Sequence, residues 1–155
     1  MKDKLIKVNK DIDKVMKNIL PLPGVKNIAC FNCEKAWCCV NCTGPSISDK
    51  ELSVIKALIT PEQRKRGLAS INQKALTGRY DCPFLSSEGR CEIYESRPVA
   101  CSTYFVVNGT EDNCKHGDRG VYYIQGTDII KQIPKESISV IREVREVFDL
   151  LEVFK

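Results

Sequence analysis

A chain of 155 residues with 43% hydrophobic and 28% charged residues has the make-up of an ordinary globular domain, long enough to bury a core without disulfide staples. Its formal charge of +4 counts every cysteine as neutral, and thiolates gathered around cations would cancel it, so the basic balance is no argument for nucleic-acid binding. No apolar run reaches the length of a membrane span and no apolar region follows the first lysines, so neither a signal peptide nor an anchor is expected, and the expected compartment is the cytoplasm, where thiols stay reduced.

In chain order, Leu5, Val8, Ile12, Val15 and Ile19 recur at steps of three and four. That spacing predicts an amphipathic helix over 3–20, lysines outward, stopped by Pro21 and Pro23-Gly24. The stretch Cys30–Cys42 then reads CFNCEKAWCCVNC, five cysteines in turn-rich sequence. Ser48 and Glu51 have the spacing of a capping box, which opens a helix running to about Ile59. Thr60-Pro61 opens the next, over 61–76, with Gly67 its weak point. The run Arg64-Lys65-Arg66 lies on that helix, and a solvated face explains three basic residues more readily than a nucleic-acid contact does.

Residues 80–105 predict a short irregular hairpin turning at Ser86–Gly89, then one helical turn begun by Pro98 and holding Cys101. Val121–Ile124 is a strand candidate. Asn108-Gly109-Thr110 matches a glycosylation sequon that a cytoplasmic chain would leave unmodified. A final helix is predicted over 135–154, with Ile138, Ile141, Val144, Val147 or Phe148, Leu151 and Phe154 as its buried stripe. The fold class is therefore mainly α: a small single domain, 1–155, of about four helices around an irregular cysteine-rich centre at about 28–116.

Nine cysteines are an odd number, and Cys38-Cys39 are adjacent, so a disulfide framework fits poorly and metal ligation fits well. Cys30/Cys33 and Cys39/Cys42 have C-x2-C spacing but sit too close together for an ordinary zinc ribbon. Adjacent cysteines point apart, which leaves either two centres or one ligand and one spare thiol. Cys82, Cys91, Cys101 and Cys114 are widely spaced, as in a site assembled from several loops. Soft all-thiolate donors suit Zn²⁺ or an iron–sulfur cluster. One or two of the nine could be buried free thiols. His116 is the only histidine, which excludes H-E-x-x-H and leaves any catalytic triad to one residue. Phosphate-binding and dinucleotide-binding glycine motifs are absent, as is the C-x3-C-x2-C of radical S-adenosylmethionine enzymes.

The arrangement resembles the CxxCxxCC, or YkgJ-type, cysteine-cluster family of zinc- or iron-chelating proteins. Cys30, Cys33, Cys38 and Cys39 match its opening motif, and Cys82-Pro83-Phe84-Leu85 its CPFL. Cys91-Glu92-Ile93-Tyr94 with Arg97-Pro98 matches its C-x-I-Y and RP, Cys101 the next cysteine, and Cys114 an eighth. The chain departs from the pattern in three places. Four residues separate Cys33 from Cys38 rather than two, Cys42 is additional and could replace a nominal ligand, and Ser102 stands where the family commonly has arginine.

The resemblance implies Cys30, Cys33, Cys38, Cys39, Cys82, Cys91, Cys101 and Cys114 as metal ligands. Tyr94 and Arg97 would support the ligands rather than bind. The expected cofactor is an iron–sulfur cluster of the 4Fe-4S type, with zinc the alternative, and the expected role is electron or metal transfer. The alternatives are a structural zinc module that binds a macromolecule and an iron–sulfur-dependent protein-modifying enzyme, since some relatives are flagellin lysine methylases. The expected partners are the metal or cluster and a protein redox or modification partner, with no membrane and no nucleic acid.

Overall fold

A computed structural model describes residues 1–31, 33–115, 122–123, 129–137 and 146–155. Helix α1 spans Lys2–Ile19 and buries Leu5, Val8, Ile12 and Met16. The predicted stripe drifts from Val15 to Met16 because 3.6 residues per turn do not hold a fixed step, and Val15 and Ile19 pack at its flank. Strand β1, Ser46–Ser48, runs straight into α2, Asp49–Lys56. The predicted capping box closes α2: the Ser48 hydroxyl accepts from Glu51 N, and the Glu51 carboxyl accepts from Ser48 N. Helix α3, Pro61–Thr77, has the same reciprocal cap between Thr60 and Gln63 and ends on left-handed Gly78.

Two apolar clusters share α2. Val54 joins the α1 stripe, Ile28, Val99, Phe105, Val107, Ile129 and Ile133. Its neighbour Ile55 points into the second cluster, with Ile47, Tyr80, Phe84, Ile93, Leu150, Leu151, Val153 and Phe154. Gly67 of α3 lies against the Phe154 ring, and a Cβ there would run into it. What looks in sequence like a weak point of the helix is the notch that seats the ring.

The hairpin of 80–93 follows its prediction. Leu85 bridges Cys91, Ser86 N donates to Arg90 O (2.8 Å), and Gly89 turns at φ +80°. Helix α4, Val99–Ser102, carries Cys101 just after Pro98. Strand β2, Val106–Val107, pairs antiparallel with β3, Tyr122–Tyr123, with α5, Glu111–Lys115, between them in sequence. The rest of the strand candidate, Val121 and Ile124, lies outside the described residues.

The predicted helix over 135–154 is corrected. Ile138, Ile141 and Val144 lie outside the described residues. Val147–Asp149 forms β4, antiparallel to β1, with Ile47 opposite Phe148. Leu150–Phe154 is a 3-10 turn capped by Asp149, whose carboxyl accepts from Leu151 N (2.9 Å). Leu150, Leu151, Val153 and Phe154 are all buried between α2 and α3. A helix would bury one stripe, whereas here every residue but Glu152 is a buried apolar side chain and the run is wedged in as a tight turn.

A polar clamp joins α1 to the segment that carries α4. Asn9 is buried, and its Nδ2 donates to Glu95 O (2.9 Å) and Arg97 O (3.0 Å). Its Oδ1 accepts from the Ser102 hydroxyl (2.6 Å), which gives the buried Ser102 a structural partner. Asn9→Leu keeps the branching but replaces both polar atoms by bulkier methyls and strands these groups. The expected loss is about 2 kcal/mol in urea unfolding, and a change under about 0.5 kcal/mol, the range of a neutral surface substitution, would show that the clamp is dispensable.

Candidate metal centre

The thiols come from five segments, and backbone hydrogen bonds fix how those segments meet. Cys82 N donates to Cys39 O (2.8 Å), so the CPFL segment lies along the first cysteine cluster. Two residues away, Cys42 and Tyr80 exchange both backbone bonds, Cys42 N to Tyr80 O (2.8 Å) and Tyr80 N to Cys42 O (2.9 Å). Asn41 takes a left-handed φ of +47° to make this approach, and its N–H donates to Asp81 Oδ1 (2.8 Å). Ala36 N donates to Gly89 O (2.7 Å) and Arg90 Nη1 to Cys33 O (2.8 Å), which ties the hairpin tip to the cluster.

The side chains converge accordingly. The Cys39 thiol shares hydrogen bonds with Cys38 and Cys82. As donor it is held well above the usual thiol range, while the acceptors Cys38 and Cys82 are lowered. Cys42, Cys91 and Cys101 are each within electrostatic reach of Cys82 and Cys38. Burial pushes Cys42 up to about 11 and Cys91 up to about 12, and holds Cys101 well above the ordinary thiol value. Cys30 and Cys33 join the group through Cys38. Their sulfurs also donate to backbone oxygens, Cys30 Sγ to Tyr104 O (3.7 Å) and Cys33 Sγ to Cys30 O (3.6 Å).

Cys114 lies on α5, which packs against the Trp37–Cys39 turn. Glu111 of α5 accepts from Glu34 N (3.1 Å) and Trp37 Nε1 (3.2 Å), holding the loop between Cys33 and Cys38. His116 lies outside the described residues.

Among the described residues no three Cys, His, Asp or Glu side chains surround a common point ready to hold an ion. The donor set nevertheless fits a thiophilic metal. Sulfurs supply every side-chain donor at the heart of the group, Cys39 and its two neighbours share protons that a cation would displace, and the buried Tyr80 hydroxyl has no hydrogen-bond partner among the described residues. Because burial keeps Cys42 and Cys91 protonated at neutral pH, loading must expel protons, and affinity falls as pH falls.

Arg97 supplies positive charge to this region. Its guanidinium is buried, donates to Tyr94 O (2.8 Å) and to Asp13 Oδ1 on α1 (3.0 Å), and lies 3.8 Å from the centre of the Tyr94 ring. It favours the thiolate forms of Cys38, Cys91 and Cys101. Within the basic run of α3, Arg66 is occupied: it pairs with Glu92, and its Nε donates to Pro83 O (2.8 Å).

Sequence reasoning left Cys42 out of the ligand set and passed over Tyr80, Arg90 and Glu111. Cys42 carried a signal, its C-x2-C spacing from Cys39. The other three carried none, because each meets the cluster only through folding.

Among the described residues no helix is long and apolar enough to cross a membrane. No match was found among curated proteins or solved structures. A family model described as "Putative zinc- or iron-chelating domain" matches residues 29–121, more than half of the chain and nearly the whole cysteine-rich region. The chain belongs to the CxxCxxCC family, as its cysteine pattern indicates.

Proposed function

We propose that the converging thiols hold an iron–sulfur centre of the 4Fe-4S type, used for electron or metal transfer in a single cytoplasmic domain. The observation that carries this reading is the meeting of two sequence-distant cysteine clusters, where Cys82 N donates to Cys39 O (2.8 Å) beside the paired backbone of Cys42 and Tyr80. The proposed ligands are drawn from Cys30, Cys33, Cys38, Cys39, Cys82, Cys91, Cys101 and Cys114, and one such cluster takes four of them. A bound cluster supplies a reversible electron at a potential set by hydrogen bonds to sulfur and by solvent exposure. This chain's part is to fix the sulfurs and to offset their charge through Arg97. Protein purified without oxygen should be brown, bleach on reduction and contain iron and sulfide. Colourless protein with stoichiometric zinc would overturn the iron reading.

Zinc remains the second reading because the family description names both metals. In that case the centre is a structural staple. The exposed Arg64 and Lys65 alone are then a thin basis for macromolecular binding, since Arg66 is committed to Glu92 and Pro83.

Arg97→Leu tests the charge offset. Losing a residue that supports metal ligands costs about tenfold or more in metal affinity. The variant should keep wild-type helical circular dichroism but lose metal to a chelator at about ten times lower chelator concentration. Wild-type metal retention would remove Arg97 from the centre.

A further inference from the structure

The structure assigns Cys42 to the metal centre, where the hydroxyl of Tyr80 is the side-chain donor to its metal-bound sulfur; this rests on the metal-binding reading above. Two observations carry it. The first is the paired backbone. Cys42 N donates to Tyr80 O (2.8 Å) and Tyr80 N to Cys42 O (2.9 Å), and a little further along the same two segments Cys82 N donates to Cys39 O (2.8 Å). Cys42 therefore lies on the same stretch of paired backbone that brings Cys39 to Cys82.

The second is the phenol. Tyr80 is fully buried, and its Oη has no partner among the described residues. Leaving a buried hydroxyl unpaired is costly, and native proteins rarely tolerate it without a reason. The chain has also cleared room for it. Oη lies against Gly44, which sits at φ +86° with no Cβ to block the approach. The charged groups that bear on the phenol are Cys42, Asp149, Cys82 and Cys101, and Lys74 lies over its ring face 5.3 Å from the centre. Asp149 is paired with Lys74 and accepts from Leu151 N, whereas the sulfurs become strong acceptors once metal replaces their protons. Cys42 pairs with Tyr80 through the backbone and stands two residues before the Gly44 that Oη lies against, so its sulfur is the acceptor assigned.

The test is a double-mutant cycle on the full chain, reduced and free of oxygen, with Zn²⁺ as probe in competition with a chelator. Tyr80→Phe removes only the hydroxyl, and Cys42→Ala removes the proposed acceptor. Tyr80→Phe should weaken Zn²⁺ binding about tenfold, Cys42→Ala at least as much, and the double variant no more than Cys42→Ala. Metal-free Tyr80→Phe should unfold at the same or a higher urea concentration than metal-free wild type, since it deletes an unpaired group. Additive losses in the double variant, unchanged binding by Cys42→Ala, or a less stable metal-free Tyr80→Phe would each overturn the assignment. Wild-type protein that binds no Zn²⁺ would instead bring down the metal-binding reading itself.

Discussion

Stripping the metal under reducing conditions should leave α1, α2 and α3 folded but open the chain between residues 29 and 45. None of the described side chains in that stretch is buried: Cys30, Phe31 and Cys42 pack only at the edges of the apolar clusters, and the rest is held by backbone ties to Tyr80, Cys82 and Gly89 and by the Asp81, Arg90 and Glu111 contacts. The hairpin and α4 are different. Tyr80, Phe84, Ile93 and Val99 are buried in the two apolar clusters, and Phe105 and Val107 follow them. Their burial does not depend on metal. A ligand present at 100 times its dissociation constant contributes about 2.7 kcal/mol, so a segment ordered by metal should open about a hundredfold more often without it. The expected observation is a far-ultraviolet spectrum close to that of the loaded protein, with proteolytic cleavage confined to 29–45 and about a hundredfold faster. Cleavage throughout 80–107 would show that metal also holds the cores together. Unchanged resistance would show that the thiols order nothing.

That outcome differs from what periodicity alone suggests, and the difference is instructive. Single apolar residues at irregular spacing, such as Ile28, Tyr80, Phe84 and Phe105, leave no period to detect, yet they are core residues. Helices α1, α2 and α3 were legible because their signals are local: a stripe at steps of three and four, and two reciprocal caps four residues long. The C-terminal segment misled because Leu151 and Phe154 also fit a helical stripe, and only the pairing of β4 with β1 decides otherwise. The family of the cysteine cluster was legible in the cysteine spacing and the CPFL and RP motifs. Its geometry was not, because Arg90 meets Cys33, Glu111 meets Trp37 and Tyr80 meets Cys42 across long stretches of chain.

Glu51→Ala should be the most damaging single substitution away from the cysteines. Glu51 looks in sequence like one half of a capping box, worth about 1 kcal/mol. In the fold its side chain is buried and does a second job. One carboxyl oxygen accepts from Ser48 N (2.8 Å) and the Ser48 hydroxyl (2.9 Å). The other accepts from Val99 N (2.7 Å), the first residue of α4. A single carboxyl thus pins the start of α2, the end of β1 and the start of the helix that presents Cys101. Truncation leaves the N–H groups of Ser48 and Val99 without partners in buried surroundings, at roughly 1–3 kcal/mol each. The expected loss is about 3 kcal/mol, a fall in the urea midpoint of roughly 1.5 M for an unfolding slope of about 2 kcal/mol per molar. Glu51→Gln, which keeps the shape and one acceptor oxygen, should lose about half as much. Because Cys101 lies two residues beyond Val99, Glu51→Ala should also release metal more readily, while Ser48→Ala, which removes only a cap, should not. If Glu51→Ala proved no worse than Ser48→Ala in stability and metal retention, the bond to Val99 would carry no weight and α4 would be held by Asn9 and the apolar clusters alone.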